Sequence, residues 1–125
     1  MRLVLVLLGG GLGSLARYLT GLWLADRLGA AFPWGTLAVN VLGSFLIGLI
    51  ATLADERGGI GPQARLLLVT GVLGGFTTFS AFSLETWRLL EQNEVGRAAL
   101  NVLATLLLSF TAVVLGVAAG RALER

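Results

Sequence analysis

Four apolar stretches, separated by short polar segments, make up most of the chain. They cover about residues 3–25, 34–54, 64–90 and 97–120. Each is close to the roughly 20 residues that an α-helix needs to cross a hydrocarbon core ~30 Å thick. Because the connections are short, consecutive helices must run in opposite directions. The pattern predicts an all-α integral membrane protein, with one transmembrane domain of four helices over residues 1–125.

The third stretch contains residues that disfavour an uninterrupted helix. Gly74 and Gly75 each lower helix propensity by about 1 kcal/mol relative to alanine. The hydroxyl side chains that follow within residues 77–80 offer local hydrogen bonds that compete with the helical ones. Irregular backbone at membrane depth is tolerated only inside protein or beside a water-filled cavity. We therefore expect a functional break in the third helix.

The composition supports this class and excludes several functions. Hydrophobic residues make up 56% of the chain and charged residues only 13%, against about 25% in soluble domains. The chain has no cysteine and no histidine, which excludes disulfides, thiolate chemistry and the usual transition-metal sites. No basic stripe with interleaved aromatic residues is present, so nucleic acid is not an expected partner.

The N-terminal stretch has two interpretations. Its first 16 residues resemble a secretory signal peptide with a cleavage site after Ala16. However, the apolar run resumes after Arg17 and continues to Ala25. That length favours an uncleaved first helix that crosses the membrane.

Arginine placement gives only a small difference between the two sides of the membrane. Five arginines lie on the side of both termini and three on the other: Arg2, Arg57, Arg65, Arg121 and Arg125 against Arg27, Arg88 and Arg97. Positive charge in short loops sets orientation. A single orientation with the five-arginine side in the cytoplasm and insertion in both orientations are therefore both open.

Asn40 and Arg17 are polar residues within predicted helices. A primary amide in mid-membrane is costly unless it is hydrogen-bonded. Asn40 could join two helices, or its NH₂ group could donate to a passing ligand. Arg17 could line a wet vestibule that concentrates anions, or extend its guanidinium to the interface.

The fourth stretch carries Asn101, Thr105 and Ser109 at four-residue spacing, which places them on one helical face. We interpret this row as a polar path. Phe79 and Phe82 could serve packing alone, or could present their positive ring edges to a small anion. Four helices of this size can hardly enclose a pore alone, so transport would imply an oligomer.

Glycine spacing and acidic residues give further expectations. Gly9 with Gly13, and Gly116 with Gly120, form G-x-x-x-G motifs that favour close helix contacts in lipid. Glu85 lies three residues before Arg88, a spacing that predicts an ion pair.

Three sequence blocks resemble the CrcB/Fluc family of small fluoride channels over essentially the whole chain. They are G-G-G-L-G-S-L-A-R-Y at residues 9–18, P-W-G-T-L-A-V-N-V-L-G-S-F-L-I-G at 33–48, and G-V-L-G-G-F-T-T-F-S-A-F-S-L-E at 71–85. The resemblance implies a fluoride-selective channel for passive export of cytoplasmic fluoride and resistance to fluoride toxicity. It also implies an antiparallel, dual-topology homodimer that spans the cell membrane, within the lipid bilayer, and has two pores.

The resemblance further implies a role for particular residues of this chain. The fluoride pore would be lined by Asn40, Phe79, Phe82, Thr105 and Ser109. Arg17 would lie in the aqueous vestibule. Backbone carbonyls of Gly74 and Thr77, from both subunits, would hold a structural sodium ion on the two-fold axis, since carbonyl oxygens suit a hard cation. Family members carry tyrosine where Asn101 stands, which leaves the role of Asn101 open.

Two other functions remain as alternatives. A small-multidrug-type, proton-coupled antiporter is also a four-helix, dual-topology dimer, but it would need a carboxylate deep in the first helix, and the sequence has none there. A non-transporting membrane subunit would pack against a larger partner. We expect no enzyme, because the glycines at residues 9–13 lack the preceding strand of a dinucleotide-binding turn.

Overall fold

The computed structural model describes residues 1–124 except for the side chains of Glu56 and Arg57, so Arg125 and the side chain of Arg57, two of the five arginines on the predicted terminal side, lie outside the described residues. The elements in chain order are α1 (Arg2–Leu28), α2 (Trp34–Arg57), α3 (Pro62–Arg65), a π-helical segment (Leu66–Leu73), α4 (Gly74–Phe76), α5 (Phe79–Glu91) and α6 (Val95–Leu123).

Four helical stretches are long and apolar enough to cross a membrane. They are Arg2–Leu28, Trp34–Asp55, Pro62–Glu91 and Val95–Leu123, which confirms the prediction of four membrane-spanning helices. Each runs a few residues beyond the predicted stretch, because the apolar pattern marks only the part at hydrocarbon depth. The helices themselves continue into the polar interface, where charged residues such as Arg2 and Arg121 are helical. The chain is therefore a multi-pass membrane protein.

The third span departs from α-helical geometry in two places. Residues Leu66–Leu73 form a π-helix, a rare arrangement that is frequent at functional sites. Thr77 (φ −86°, ψ 157°) and Thr78 (φ −155°, ψ 117°) then have extended backbone between α4 and α5. The Thr78 hydroxyl accepts a hydrogen bond from Ala81 N at 3.1 Å and so caps the start of α5.

Glycines bring α1 against the first half of the third span. A Cβ atom on Gly9 would lie 2.6 Å from the carbonyl oxygen of Leu67 and 2.9 Å from the Cα of Gly71. A Cβ on Gly13 would collide with the carbonyl oxygen of Val72. The first G-x-x-x-G motif is therefore confirmed as a contact at which two backbones touch.

A second pair of glycine contacts joins α2 to α6. A Cβ on Gly116 would collide with the carbonyl oxygen of Phe45, and one on Gly48 with that of Val113. Gly120 lies against Thr52, with 2.9 Å from an added Cβ to the threonine Cβ. The second G-x-x-x-G motif is thus also a helix contact. Because each pair approaches at backbone distance, the two spans within each pair are closely constrained relative to each other.

The α2–α6 contact yields a stability prediction. Gly116→Ala places a methyl group against the backbone of α2, so we expect the free energy of unfolding to fall by about 1–3 kcal/mol, as for other overpacked sites. Thermal unfolding in detergent measures the change. Gly96→Ala in the same helix is the control, since no atom lies within 4 Å of an added Cβ there. Equal midpoints for the two variants would contradict the prediction.

Candidate functional site

A cleft of about 510 Å³ opens between α2, the third span and α6. Seven residues that the sequence analysis singled out line it: Asn40, Gly74, Thr77, Phe79, Phe82, Thr105 and Ser109. Ser44, one helical turn beyond Asn40, lines the same cleft. The structure therefore brings residues from three separate parts of the sequence to one place. None of the residues that line the cleft carries a formal charge.

Asn40 holds the extended backbone of the third span. Its Nδ2 donates to the carbonyl oxygen of Thr78 at 3.0 Å, and its Oδ1 accepts from Thr78 N at 2.8 Å. One amide thus satisfies both backbone groups of a residue that is not helical. A primary amide has two N–H donors, and only one is used within the described residues. The second remains available at the cleft.

The carbonyl groups around Thr77 differ in whether they accept hydrogen bonds. The carbonyl oxygen of Leu73 accepts from both the backbone and the hydroxyl group of Thr77. By contrast, the carbonyl oxygens of Gly74 and Thr77 accept no hydrogen bond within residues 1–124. Gly74 is exposed and Thr77 is half-buried. Unused carbonyl oxygens are donor atoms that fit a hard cation such as sodium.

The two phenylalanines at the cleft differ in burial. Their ring centroids lie 5.5 Å apart, and the ring planes are inclined by 53°. Phe82 is 7% exposed, whereas Phe79 is 74% exposed. Phe76, three residues earlier, is buried and does not line the cleft, because the extended residues change the direction of the chain after it. The pair forms one side of a largely apolar cleft, in which one amide and five hydroxyl side chains lie among residues such as Ile47, Leu106 and Val113.

The polar row of α6 is divided between the cleft and the protein interior. The Ser109 hydroxyl is buried and has no hydrogen-bond partner within the described residues. Thr105 lines the cleft and donates to Asn101 Oδ1 over a long 3.5 Å. Asn101 is completely buried and donates to Thr86 Oγ1 at 2.9 Å. Ser109 therefore offers an unused polar group to the cleft, whereas Asn101 does not line it.

Arg17 lies outside the main cleft. Its Nε donates to the carbonyl oxygen of Gly75 at 3.1 Å, directly before the interruption of the third span. It lines a smaller neighbouring cleft of about 230 Å³, together with Thr36 and Glu85. The guanidinium therefore binds protein backbone and does not simply extend along lipid. It places a positive charge beside the carbonyl-rich interruption.

Glu85 and Arg88 do not form the predicted close ion pair, although the positive charge of Arg88 still attracts the Glu85 carboxylate. Glu85 Oε1 instead accepts a hydrogen bond from Thr36 Oγ1 at 2.8 Å. Ion pairs among the described residues include Arg65–Asp55 and Arg97–Glu94. Helical spacing made Arg88 the nearest candidate, but α2 supplies a hydroxyl group on the side that Glu85 faces. Arg88 remains exposed.

Sequence reasoning did not identify Thr86 or the backbone of Thr78 as partners in this site. Thr86 lies four residues after Phe82 and therefore on the same helical face. This spacing is a signal from which Thr86 could be predicted to lie near the site. The partner of Asn40 is a main-chain group 38 residues away. No side-chain pattern identifies such a partner.

The geometry suits a small, strongly hydrated anion. Neutral N–H and O–H donors converge on the cleft, and an anion there would gain charge-assisted hydrogen bonds. The absence of a formal charge among the residues that line the cleft means that no ion pair would hold it in place. However, the cleft of one chain is open along one side, where the ring of Phe79 is exposed.

Comparison with known proteins places the chain in a family. The family model described as "CrcB-like protein, Camphor Resistance (CrcB)" matches residues 4–117. A relative from Agrobacterium fabrum is 51% identical over 121 residues, which is 97% of each chain. One from Thermus thermophilus is 54% identical over 122 residues, covering 98% of this chain and 95% of its own. Both are named "Fluoride-specific ion channel FluC". The chain therefore belongs to the CrcB family.

Proposed function

We propose that this protein is a fluoride-selective ion channel, not an enzyme, that exports cytoplasmic fluoride passively across the cell membrane and so gives resistance to fluoride toxicity. The single observation that carries the proposal is the uncharged, donor-lined cleft at membrane depth. The relatives of this protein, which match it over nearly their full length, are named as fluoride-specific ion channels. The amide and hydroxyl donors of the cleft would replace the hydration shell of the ion.

Three donors would bind the ion in turn. The unused N–H of Asn40 and the unpartnered hydroxyl of Ser109 cost nothing to recruit, because neither has a partner to give up. Thr105 has to release only its 3.5 Å bond to Asn101, which lies at the weak limit of hydrogen-bond geometry. Conduction requires binding that is favourable enough for entry and weak enough for release. Neutral donors in series meet that condition.

The two phenylalanines would complete the pathway. The edge of an aromatic ring carries partial positive charge, so ring edges attract an anion without offering a hydrogen bond. Phe82 is fixed by burial, whereas the exposed ring of Phe79 has no covering structure within the described residues. An anion between them would move along a surface to which it is only weakly bound.

A second copy of the chain, antiparallel to the first, would close the cleft. An exposed Phe79 ring, an open cleft wall and exposed backbone at Gly74 all lie where a partner would cover them. The small arginine difference between the two sides is compatible with insertion in both orientations. We infer a dual-topology homodimer in which each of two pores has walls from both subunits.

The extended residues of the third span would serve as the functional break in a membrane helix. Half-helices with unwound backbone between them form ion sites in other membrane proteins. Here the carbonyl oxygens of Gly74 and Thr77 are free of hydrogen bonds within residues 1–124. Two carbonyls from each subunit would hold a structural sodium ion on the two-fold axis. The ion would satisfy backbone groups that lipid cannot.

Arg17 would support conduction from the edge of the pathway. Its cleft adjoins the interruption of the third span and includes Glu85 as well. A fixed positive charge raises the local concentration of anions. We therefore infer that Arg17 lies in the vestibule through which fluoride reaches the donors of the main cleft.

The two alternatives have less support. The residues that line the main cleft include no carboxylate that could exchange a proton for a cationic drug. A non-transporting subunit would have no use for an unpartnered donor in a membrane cleft, since such a group is costly without a ligand. Transport of an anion explains both features.

Ion release from liposomes tests the function directly. We expect purified protein to release fluoride rapidly and chloride negligibly, as measured with two ion-selective electrodes in parallel. The reason is that closely spaced neutral donors replace the shell of a small anion but not of a larger one. Protein-free liposomes are the control. Equal release of both ions would remove the selectivity claim, and release of neither by folded protein would favour the subunit alternative.

Asn40→Asp tests the proposed donor. The carboxylate retains an acceptor for Thr78 N but loses the donor to Thr78 O, and it adds a negative charge to an anion pathway. A membrane charge costs about 2.5–3.5 kcal/mol, so we expect fluoride release to fall by about a hundredfold or more. Asn93→Asp, in the exposed turn between α5 and α6, is the matched control. Wild-type release by Asn40→Asp would refute this role.

Sodium removal tests the cation site without reference to flux. At constant ionic strength, replacing sodium by N-methylglucamine should lower the unfolding midpoint in detergent by about 4 °C or more, because a ligand that binds only the folded state stabilises it. The dimer fraction in size-exclusion chromatography should fall as well. If neither quantity depends on the cation, the carbonyls of Gly74 and Thr77 do not bind sodium.

A further inference from the structure

Asn101 is completely buried, with 0% of its surface exposed. Its Nδ2 donates to Thr86 Oγ1 at 2.9 Å, and the Thr86 hydroxyl donates to the carbonyl oxygen of Phe82 at 2.8 Å. On the other side, the Thr105 hydroxyl donates to Asn101 Oδ1 at 3.5 Å. Asn101 is therefore the central member of a chain of hydrogen bonds.

The orientation of the Asn101 amide follows from counting protons. A hydroxyl group has one proton to donate, and Thr86 gives its proton to Phe82. The Thr86 oxygen can therefore only accept from Asn101, so the NH₂ group must face Thr86. The carbonyl oxygen of the amide then faces Thr105 and accepts its proton. Each member of the chain has a defined direction.

This chain of hydrogen bonds connects two residues that line the cleft. Phe82 on α5 and Thr105 on α6 both line the cleft, whereas Asn101 and Thr86 do not. The Asn101–Thr86 bond is a side-chain hydrogen bond between α5 and α6. Apolar packing between membrane helices has little directionality. The bond therefore fixes the distance between α5 and α6, which apolar packing alone would not define.

We propose that Asn101 is a positioning residue that, through Thr86, sets the separation of the Phe82 and Thr105 walls and thereby the size of anion that the cleft accepts. The inference rests on the proposed fluoride conduction. Asn101 would thus affect which anion passes without contacting the ion. A narrow, rigid pathway excludes larger anions, and a wall that moves outward admits them.

The test compares isosteric variants that remove the Asn101–Thr86 bond with a matched control. Thr86→Val and Asn101→Leu each delete one partner, and the double variant deletes both. Thr20→Val is the control. Like Thr86, the Thr20 hydroxyl donates to a carbonyl oxygen of its own helix, that of Ala16, at 2.8 Å, but it accepts no hydrogen bond from a side-chain amide. Fluoride and chloride release from liposomes are measured for each protein.

We expect Thr86→Val and Asn101→Leu each to lower the ratio of fluoride to chloride release by about fivefold, the effect of losing one hydrogen bond. The double variant should lower the ratio by clearly less than the product of the two single effects, since all three variants lack the Asn101–Thr86 bond. Thr86→Ser keeps the hydroxyl group and should restore most of the ratio. Should Asn101→Leu fail to fold, the comparison of Thr86→Val with Thr86→Ser and Thr20→Val still decides.

Two results would overturn the inference. One is a ratio for Thr86→Val equal to that for Thr20→Val. The other is additive effects in the double variant. Hydrogen exchange of the backbone at residues 79–91 separates this failure from failure of the channel function. If the wild-type protein releases no fluoride, faster exchange in Thr86→Val than in Thr20→Val still supports the positioning role, and equal exchange refutes it.

Discussion

Backbone hydrogen bonding at membrane depth is the constraint on which the rest of this structure depends. Lipid offers no partner for a peptide group, so an interruption in a spanning helix requires partners from elsewhere in the protein. At Thr78 the partner is the side chain of Asn40, which satisfies an N–H and a carbonyl together. At Gly75 it is Arg17. The first and second spans thus hold the third in its interrupted form.

The glycine contacts make these bonds possible. A side-chain amide reaches only a few ångströms, so Asn40 can bond to Thr78 only if α2 and the third span approach closely. Gly43 supplies that approach, since an added Cβ would collide with the methyl group of Thr77. In the same way, Gly75 lies against α1, where an added Cβ would meet Ser14 N at 3.1 Å. The close helix packing at these glycines and the hydrogen bonds to the third span therefore depend on each other.

The sequence predicted the spans and the glycine contacts because each depends on a local pattern. A run of about twenty apolar residues indicates a membrane-spanning helix. Glycines four residues apart indicate a close contact between two such helices. The polar partners could not be predicted in that way. Glu85 bonds to Thr36, 49 residues away, although Arg88 had the favourable helical spacing. The π-helix at Leu66–Leu73 carried no signal in its sequence. Such features depend on which helix faces which, and that information lies in the assembled fold.

The distribution of unused hydrogen-bonding groups connects this fold to the proposed conduction of fluoride. A folded protein satisfies nearly all its buried polar groups, so an unsatisfied group such as the Ser109 hydroxyl calls for an explanation, and a bound ion supplies one. Here the Ser109 hydroxyl, one N–H of Asn40 and the carbonyls of Gly74 and Thr77 are unpaired within residues 1–124, and all four residues line one cleft. The donors among them would complement an anion and the acceptors a cation. One cleft thus offers groups for both proposed ions. A formal positive charge among its lining residues would hold fluoride too tightly for release, and none is present there.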